Sequence, residues 1–421
     1  MALGLGSTIL LTRVLNPGDL SNYLIILSAL GFVVLAAHSG AGQVAMSVVS
    51  QAVARDDRAE AMTAASNAAA VVTLGGVVFS GIGVFVLFLA LRDTDALSYL
   101  VVILFFIAGV LFSLAMLWVD FLRAQQRLYE ASWLGAQPQS GGPLPGVILL
   151  GVVTTVSAAG ATLSLVQVLL VLLGGWCLMA STLWVLVRNP ADLRPRLSAL
   201  SLTRMRQFAA LSWPVASSGL ALYAVTQADL WFVHRLRPAE EAVAYGLAGT
   251  FVKYVSAANV LLGALLPGLV GQYWARGDLE GLASVLVKLA RLATGVSLSL
   301  LLVITVVGEL LLHLTVGAEY AQAWLPLVIL SMGHLVNSAL GYSHVLLVTA
   351  GRTKAILWAS LLAGGGTLLG LHLITPGWGA VGAAIVSSCG LGVYGLVTCV
   401  AAARVTGIWS HVAGGYRSSL R

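Results

Sequence analysis

Apolar runs of about 20 residues, enough to cross roughly 30 Å of hydrocarbon as a helix, recur along this chain from one end to the other. In lipid each backbone N–H and C=O must find its partner inside the protein, and a helix does this one segment at a time. The apolar runs are therefore expected to be membrane-spanning helices.

The runs leave little else. The 421 residues are 59% hydrophobic and 9% charged, with a mean hydropathy of +0.96. An ordinary soluble domain carries about 25% charged residues, and no water-soluble core would hide this much apolar surface. The net charge of +6 would suit a nucleic-acid binder if it were concentrated, but the Lys and Arg lie in short loops between apolar segments. That pattern reports topology. Cys177, Cys389 and Cys399 sit inside apolar runs without metal-ligand spacing. No basic n-region with a small-residue cleavage site opens the chain, so the first helix is expected to direct insertion.

Reading the runs against their breaks places helices near residues 1–15, 21–50, 62–91, 98–120, 133–158 and 162–187. A second set falls near 208–233, 242–270, 283–314, 322–348, 354–374 and 379–403. With the N-terminus cytoplasmic, the outer side receives only Arg13, Arg92, Arg235 and Arg237, and Lys253 is left inside a helix. All other Lys and Arg fall on the inner side. Basic loops resist translocation, so both termini are expected in the cytoplasm of a cell-membrane protein.

A repeat divides the chain. Arg13 precedes Tyr23 in R-V-L-N-P-G-D-L-S-N-Y as Arg235 precedes Tyr245 in R-L-R-P-A-E-E-A-V-A-Y. At nearly the same shift, Ala54-Arg55-Asp56-Asp57 is echoed by Ala275-Arg276-Gly277-Asp278. The expected fold is therefore an all-α membrane protein of about 12 transmembrane helices in two six-helix parallel-repeat bundles. The bundles span 1–187 and 208–403, joined by a cytoplasmic linker 188–207 and followed by a cytoplasmic tail 404–421. The first helix is shorter than its repeat mate. The run Gln137-Pro138-Gln139-Ser140-Gly141-Gly142-Pro143-Leu144-Pro145 predicts an extended entry before a short fifth span, since proline removes helix donors.

Several loop motifs resemble those of Wzx-like polysaccharide flippases in the multidrug/oligosaccharidyl-lipid/polysaccharide (MOP) exporter superfamily. They are Leu11-Thr12-Arg13-Val14-Leu15-Asn16-Pro17, Asp229 ahead of Arg235, Tyr245-Gly246-Leu247-Ala248 and Gly317-Ala318-Glu319-Tyr320-Ala321-Gln322-Ala323. Ala350-Gly351-Arg352 and Pro376-Gly377-Trp378-Gly379-Ala380-Val381-Gly382-Ala383-Ala384 complete the set, which spans nearly the whole chain. The family usually has a full first helix, a basic residue in the second helix where this chain has His38, and a polar residue in the eleventh where this chain has Gly364-Gly365-Gly366. The resemblance implies a flippase that carries a polyprenyl-pyrophosphate-linked oligosaccharide between leaflets by alternating access for cell-surface polysaccharide synthesis. It implies a lipid-linked glycan and membrane lipid as partners, with polymerase or glycosyltransferase contacts, and no enzyme activity or cofactor. The alternatives are a small-molecule or multidrug exporter of the same superfamily and a membrane scaffold that transports nothing.

Charge inside hydrocarbon costs about 3 kcal/mol on insertion scales, so each buried charge asks for a partner or a cavity. Lys253 lies near the midplane with Gly246, Gly249, Ser256 and Ala257 on its face, and is the leading candidate to attract a pyrophosphate. Its alternative is an ion pair with Asp229. Asp229, near Tyr223, Thr226 and Gln227, is the ion-coupling candidate, against a purely structural pairing. Arg13 and Arg235 suit either bidentate phosphate binding or interfacial anchoring. His38 is a substrate-site candidate weighed against a hydrogen-bonded core histidine. His334, Asn337 and His344 stand likewise, and Asp120 is expected at a helix interface. No Walker A sequence, nucleophile elbow or zincin motif is present.

Overall fold

The computed structural model describes residues 2–55, 57–92, 97–125, 127, 129–131, 143–187 and 195–416. Most of the proline-rich entry, the first part of the linker and the last five residues lie outside this set. The chain divides into two compact units, Met1–Leu220 and Ala221–Arg421. The division falls inside one helix rather than in the basic segment 188–207.

The first unit holds α1 (Ala2–Val14), α2 (Pro17–Ala54), α3 (Arg58–Leu91), α4 (Tyr99–Ala124), α5 (Pro143–Ala158), α6 (Leu165–Val187) and the first half of α7 (Leu202–Leu236). Helix α2 packs on both α3 and α4, α4 continues to α6, and α1 pairs with α5. Small residues make these approaches possible. A side-chain carbon on Gly109 would collide with Ser80, and one on Gly83 would sit 2.9 Å from Phe105 and Val33. Between helices in lipid, where no hydrophobic effect drives association, such close backbone packing supplies the attraction. The opposite face of α3 carries Leu74, Val78, Phe85 and Phe88, all exposed. An apolar outer surface of this kind faces lipid.

The second unit holds the end of α7, then α8 (Ala239–Val255), α9 (Ala257–Arg276), α10 (Leu279–Thr315), α11 (Trp324–Leu340), α12 (Ser343–Thr349) and α13 (Thr353–Thr406). Among the described residues eight helices are long and apolar enough to span a bilayer. Each of the twelve segments expected from the sequence is largely helical within its described residues, but four are organised differently. The eighth is two helices meeting at Ser256, the tenth breaks at Gly341, and the eleventh and twelfth run together as α13 with Gly379 non-helical.

Each break has a local cause. At Ser256 the carbonyl of Lys253 accepts the Ser256 hydroxyl at 3.0 Å, and that of Val255 accepts Ser297 Oγ at 3.0 Å. Side-chain hydroxyls thus replace backbone donors. Gly379 adopts φ 56 and ψ −142, a region that essentially only glycine enters. The Glu241 carboxylate closes over it, accepting the Ala380 N–H at 2.7 Å and Arg237 Nε at 2.8 Å. This accounts for the Pro376–Ala384 motif, because a side chain on Gly379 would collide with Glu241.

The repeat is visible in local structure. Asp57 caps α3 by accepting Glu60 N–H at 2.9 Å, and Asp278 caps α10 by accepting Gly281 N–H at 2.8 Å. Arg13 and Arg235 occupy the last turns of α1 and α7, and Tyr23 and Tyr245 are buried.

The segment 404–421, expected as a cytoplasmic tail, is folded in part. Helix α13 runs to Thr406, and β1 (Ile408–Trp409) pairs antiparallel with β2 (Gly415–Tyr416). This hairpin packs on α10 and beside the break between α11 and α12. The fold is otherwise helical throughout the described residues.

Candidate functional site

In the first unit, His38 on α2 and Asp120 on α4 form a buried pair, with Nε2 to Oδ2 at 2.9 Å and side chains 11% and 8% exposed. Arg123, one turn after Asp120, donates Nη1 to Oδ1 at 2.9 Å and is the more exposed member. Gly42 lies against both Asp120 Oδ2 and His38 Nε2. The three-residue chain runs from the interior of α2 to the exposed end of α4. Burying a carboxylate is costly unless it is paired and hydrogen-bonded, and here both oxygens are taken. His38 is thus hydrogen-bonded, and Asp120 lies at the interface of α2 and α4, as expected, and joins the two helices. Each is the single residue among His, Asp, Glu, Lys and Arg in its apolar segment, which signals that each needs a partner without saying which.

Arg13 is exposed at the end of α1 and touches neither of these residues. Its position at the helix terminus matches interfacial placement.

In the second unit, Asp229 on α7 is buried and is held by Tyr245 of α8, whose hydroxyl donates to Oδ2 at 2.5 Å, while Leu230 N–H donates to Oδ1 at 2.8 Å. Ser387 of α13 neighbours both side chains. The Lys253–Asp229 ion pair considered from the sequence does not form: the partner of Asp229 is the repeat tyrosine. Arg235 is exposed at the end of α7.

Lys253 stands in the last turn of α8, immediately before the break. It is partly buried, and among the described residues its ammonium has no hydrogen-bonding or ionic partner. A side-chain carbon placed on Gly249, one turn earlier, would meet nothing within 4 Å among the described residues, so this face of α8 borders open space. Beyond the break, Asn259 Nδ2 donates to Ser338 Oγ at 2.6 Å, and Ser338 lies 3.2 Å from Ser297 Oγ. Helices interrupted at membrane depth persist where neighbouring polar groups satisfy the freed backbone, commonly beside a solute path. A cation in the last turn also faces the negative end of the helix dipole, which lowers the cost of leaving it unpaired.

His334 on α11 is partly buried with no side-chain partner among the described residues, and His344 on α12 is exposed. No group of three His, Cys, Asp or Glu side chains suited to a metal ion occurs among the described residues.

No family model matches this chain, and no curated protein matches it. Solved structures do. A multidrug resistance MATE family transporter of the MOP superfamily, in an inward-facing conformation, superposes with a TM-score of 0.72 at 13% identity, covering 95% of this chain and 93% of that one. The lipid II flippase MurJ in an inward closed conformation gives 0.70 at 12% identity, covering 95% and 85%. A MOP superfamily transporter from Pyrococcus furiosus, described as having a binding pocket of reverse polarity, gives 0.59 at 15%, covering 95% and 90%. At these identities the likeness concerns the fold. This multi-pass membrane protein has the fold of MOP-superfamily transporters.

Proposed function

We propose that this protein is a transporter that carries a lipid-linked oligosaccharide across the cell membrane, taking its pyrophosphate head through the protein while the polyprenyl tail stays in lipid. The observation that carries this reading is Lys253: a cation without a partner among the described residues, at a helix break, beside open space. An unpaired ammonium in a membrane interior is costly, and an anionic solute group offsets that cost during binding. A purely apolar drug would leave it uncompensated.

Two similarities support the reading. The fold is shared with a lipid II flippase over nearly the whole chain, and the loop motifs resemble Wzx-like flippases. Transport would proceed by alternating access, with no covalent step, in a protein whose termini face the cytoplasm and whose partners are the lipid-linked glycan and the enzymes that make or polymerise it. Arg13 and Arg235, exposed at helix ends, would meet the phosphate at the membrane boundary.

The similarity to a MATE multidrug transporter favours a second reading, export of a small solute. One experiment separates the two. Proteoliposomes loaded with a fluorescent polyprenyl-pyrophosphate oligosaccharide should show translocation by the wild type and at least a tenfold loss with Lys253→Ala in protein that remains folded. Translocation of cationic dyes instead, unaffected by Lys253→Ala, would overturn the flippase reading.

A further inference from the structure

A second feature, independent of the transported solute, lies on the exposed surface of α10. Arg291, Leu292, Gly295, Val296, Ser299 and Leu300, all on one face of the helix, line an open surface groove of about 470 Å³. Its wall is apolar apart from Arg291 and Ser299, and the Ser299 hydroxyl is already donated to the Gly295 carbonyl at 2.9 Å. Gly295 leaves the floor open: a side-chain carbon there meets nothing within 4 Å among the described residues.

The depth of this groove follows from the sequence of α10. Residues 292–308 carry no charged side chain and are bracketed by Arg291 and Glu309. At the helical rise they cover about 25 Å, close to the thickness of the hydrocarbon layer. Arg291 therefore stands at headgroup level, and the groove runs from it into the acyl region. Lys288, exposed one turn earlier, adds a second positive charge on the headgroup side.

Arg291 is also positioned. Its Nε donates to the Val412 carbonyl of the C-terminal hairpin at 2.8 Å. That bond orients the guanidinium, and among the described residues its two terminal nitrogens have no partner. A planar guanidinium with both terminal nitrogens available matches the oxygens of a phosphate.

We propose that α10 and the C-terminal hairpin form a binding site for a resident anionic phospholipid, its phosphate on Arg291 and Lys288 and one acyl chain in the groove over Gly295. The charge selects an anionic headgroup over a zwitterionic one, and the apolar groove selects a lipid over free phosphate. Occupancy would brace the hairpin against α10, because the same arginine binds both.

The test is native mass spectrometry of the full chain, released from detergent after incubation with phosphatidylglycerol or phosphatidylcholine. Wild type should retain one phosphatidylglycerol at least tenfold better than phosphatidylcholine. Arg291→Gln should abolish the preference, Arg291→Lys should keep most of it, and Gly295→Leu should reduce retention by filling the groove without meeting neighbouring atoms. Equal retention of both lipids by wild type, or unchanged retention in Gly295→Leu, would overturn the site. Displacement of phosphatidylglycerol by stoichiometric polyprenyl pyrophosphate would also overturn it, by assigning the groove to the transported substrate. Lys253→Ala should leave lipid retention unchanged, which keeps this result separable from the transport assay.

Discussion

His38 Nε2 lies 2.9 Å from Asp120 Oδ2, joining α2 to α4 through the interior of the first unit, while Arg123 takes the other carboxylate oxygen. Removing one partner of a buried pair strands the other. His38→Ala, which strands a buried carboxylate, should therefore destabilise the protein by about 3 kcal/mol, and Asp120→Ala somewhat less because the imidazole it leaves behind can be buried neutral. Thermal unfolding of the two single variants and the double variant should give a coupling energy of about 1–3 kcal/mol. Additive effects would show that the contact contributes nothing of its own.

Gly42 tests the same pair without touching either charge. A methyl group at this position would overlap both His38 Nε2 and Asp120 Oδ2. Gly42→Ala should lower the melting temperature in the His38–Asp120 background and have a smaller effect once His38 is replaced by Ala, which vacates the space. Equal effects in both backgrounds would count against this origin.

The Tyr245–Asp229 bond makes a further prediction. Tyr245→Phe keeps the ring but leaves a buried carboxylate one donor short, at a cost of about 1.5–3 kcal/mol. Adding Asp229→Asn to Tyr245→Phe should recover part of that loss, since an amide tolerates the missing donor better than a carboxylate does. If Tyr245→Phe unfolds at the wild-type temperature, Asp229 is not held in the way described.

The hairpin should support the break between α11 and α12. Val412 N–H donates to the Ala339 carbonyl at 2.9 Å, Ser410 Oγ donates to the Leu340 carbonyl at 3.3 Å, and Ser410 Oγ lies 2.6 Å from Ser343 Oγ. These bonds occupy carbonyls that the break at Gly341 leaves without helical donors. Gly341 has φ 76, and a side chain there would collide with the Ser410 carbonyl. Gly341→Ala should cost at least about 1–3 kcal/mol from backbone strain alone. Ser410→Ala should raise hydrogen exchange at residues 339–345 while leaving α3 unchanged; an even change across the chain would refute the local account.

Lys253→Ala should abolish lipid-linked transport with little loss of stability, because no partner among the described residues is stranded by its removal. Lys253→Arg should retain part of the activity. Unfolding analysis beside the translocation assay distinguishes this from a structural role, in which stability and transport would fall together.

Much of the architecture was legible in the amino-acid sequence because it rests on local properties. A run of apolar residues is a helix in lipid whatever surrounds it, so the twelve segments and the short first and fifth helices follow from composition and spacing. The repeat was legible because copied segments keep their marker residues, such as Arg13 with Arg235 and Tyr23 with Tyr245. Pairing across the fold was not. His38 and Asp120 are far apart in the chain, and nothing in either helix states which neighbour supplies the compensating charge. Lys253 and Asp229 looked equally able to pair, and the choice of Tyr245 depends on helix packing. The helix breaks at Ser256 and Gly341 were not legible, since serine and glycine also occur within unbroken membrane helices. Hydroxyls and a hairpin from distant segments stabilise those breaks by supplying hydrogen bonds, and only tertiary structure brings such donors to the freed carbonyls. Hydrophobicity is carried by each residue alone, whereas satisfying a buried polar group requires two.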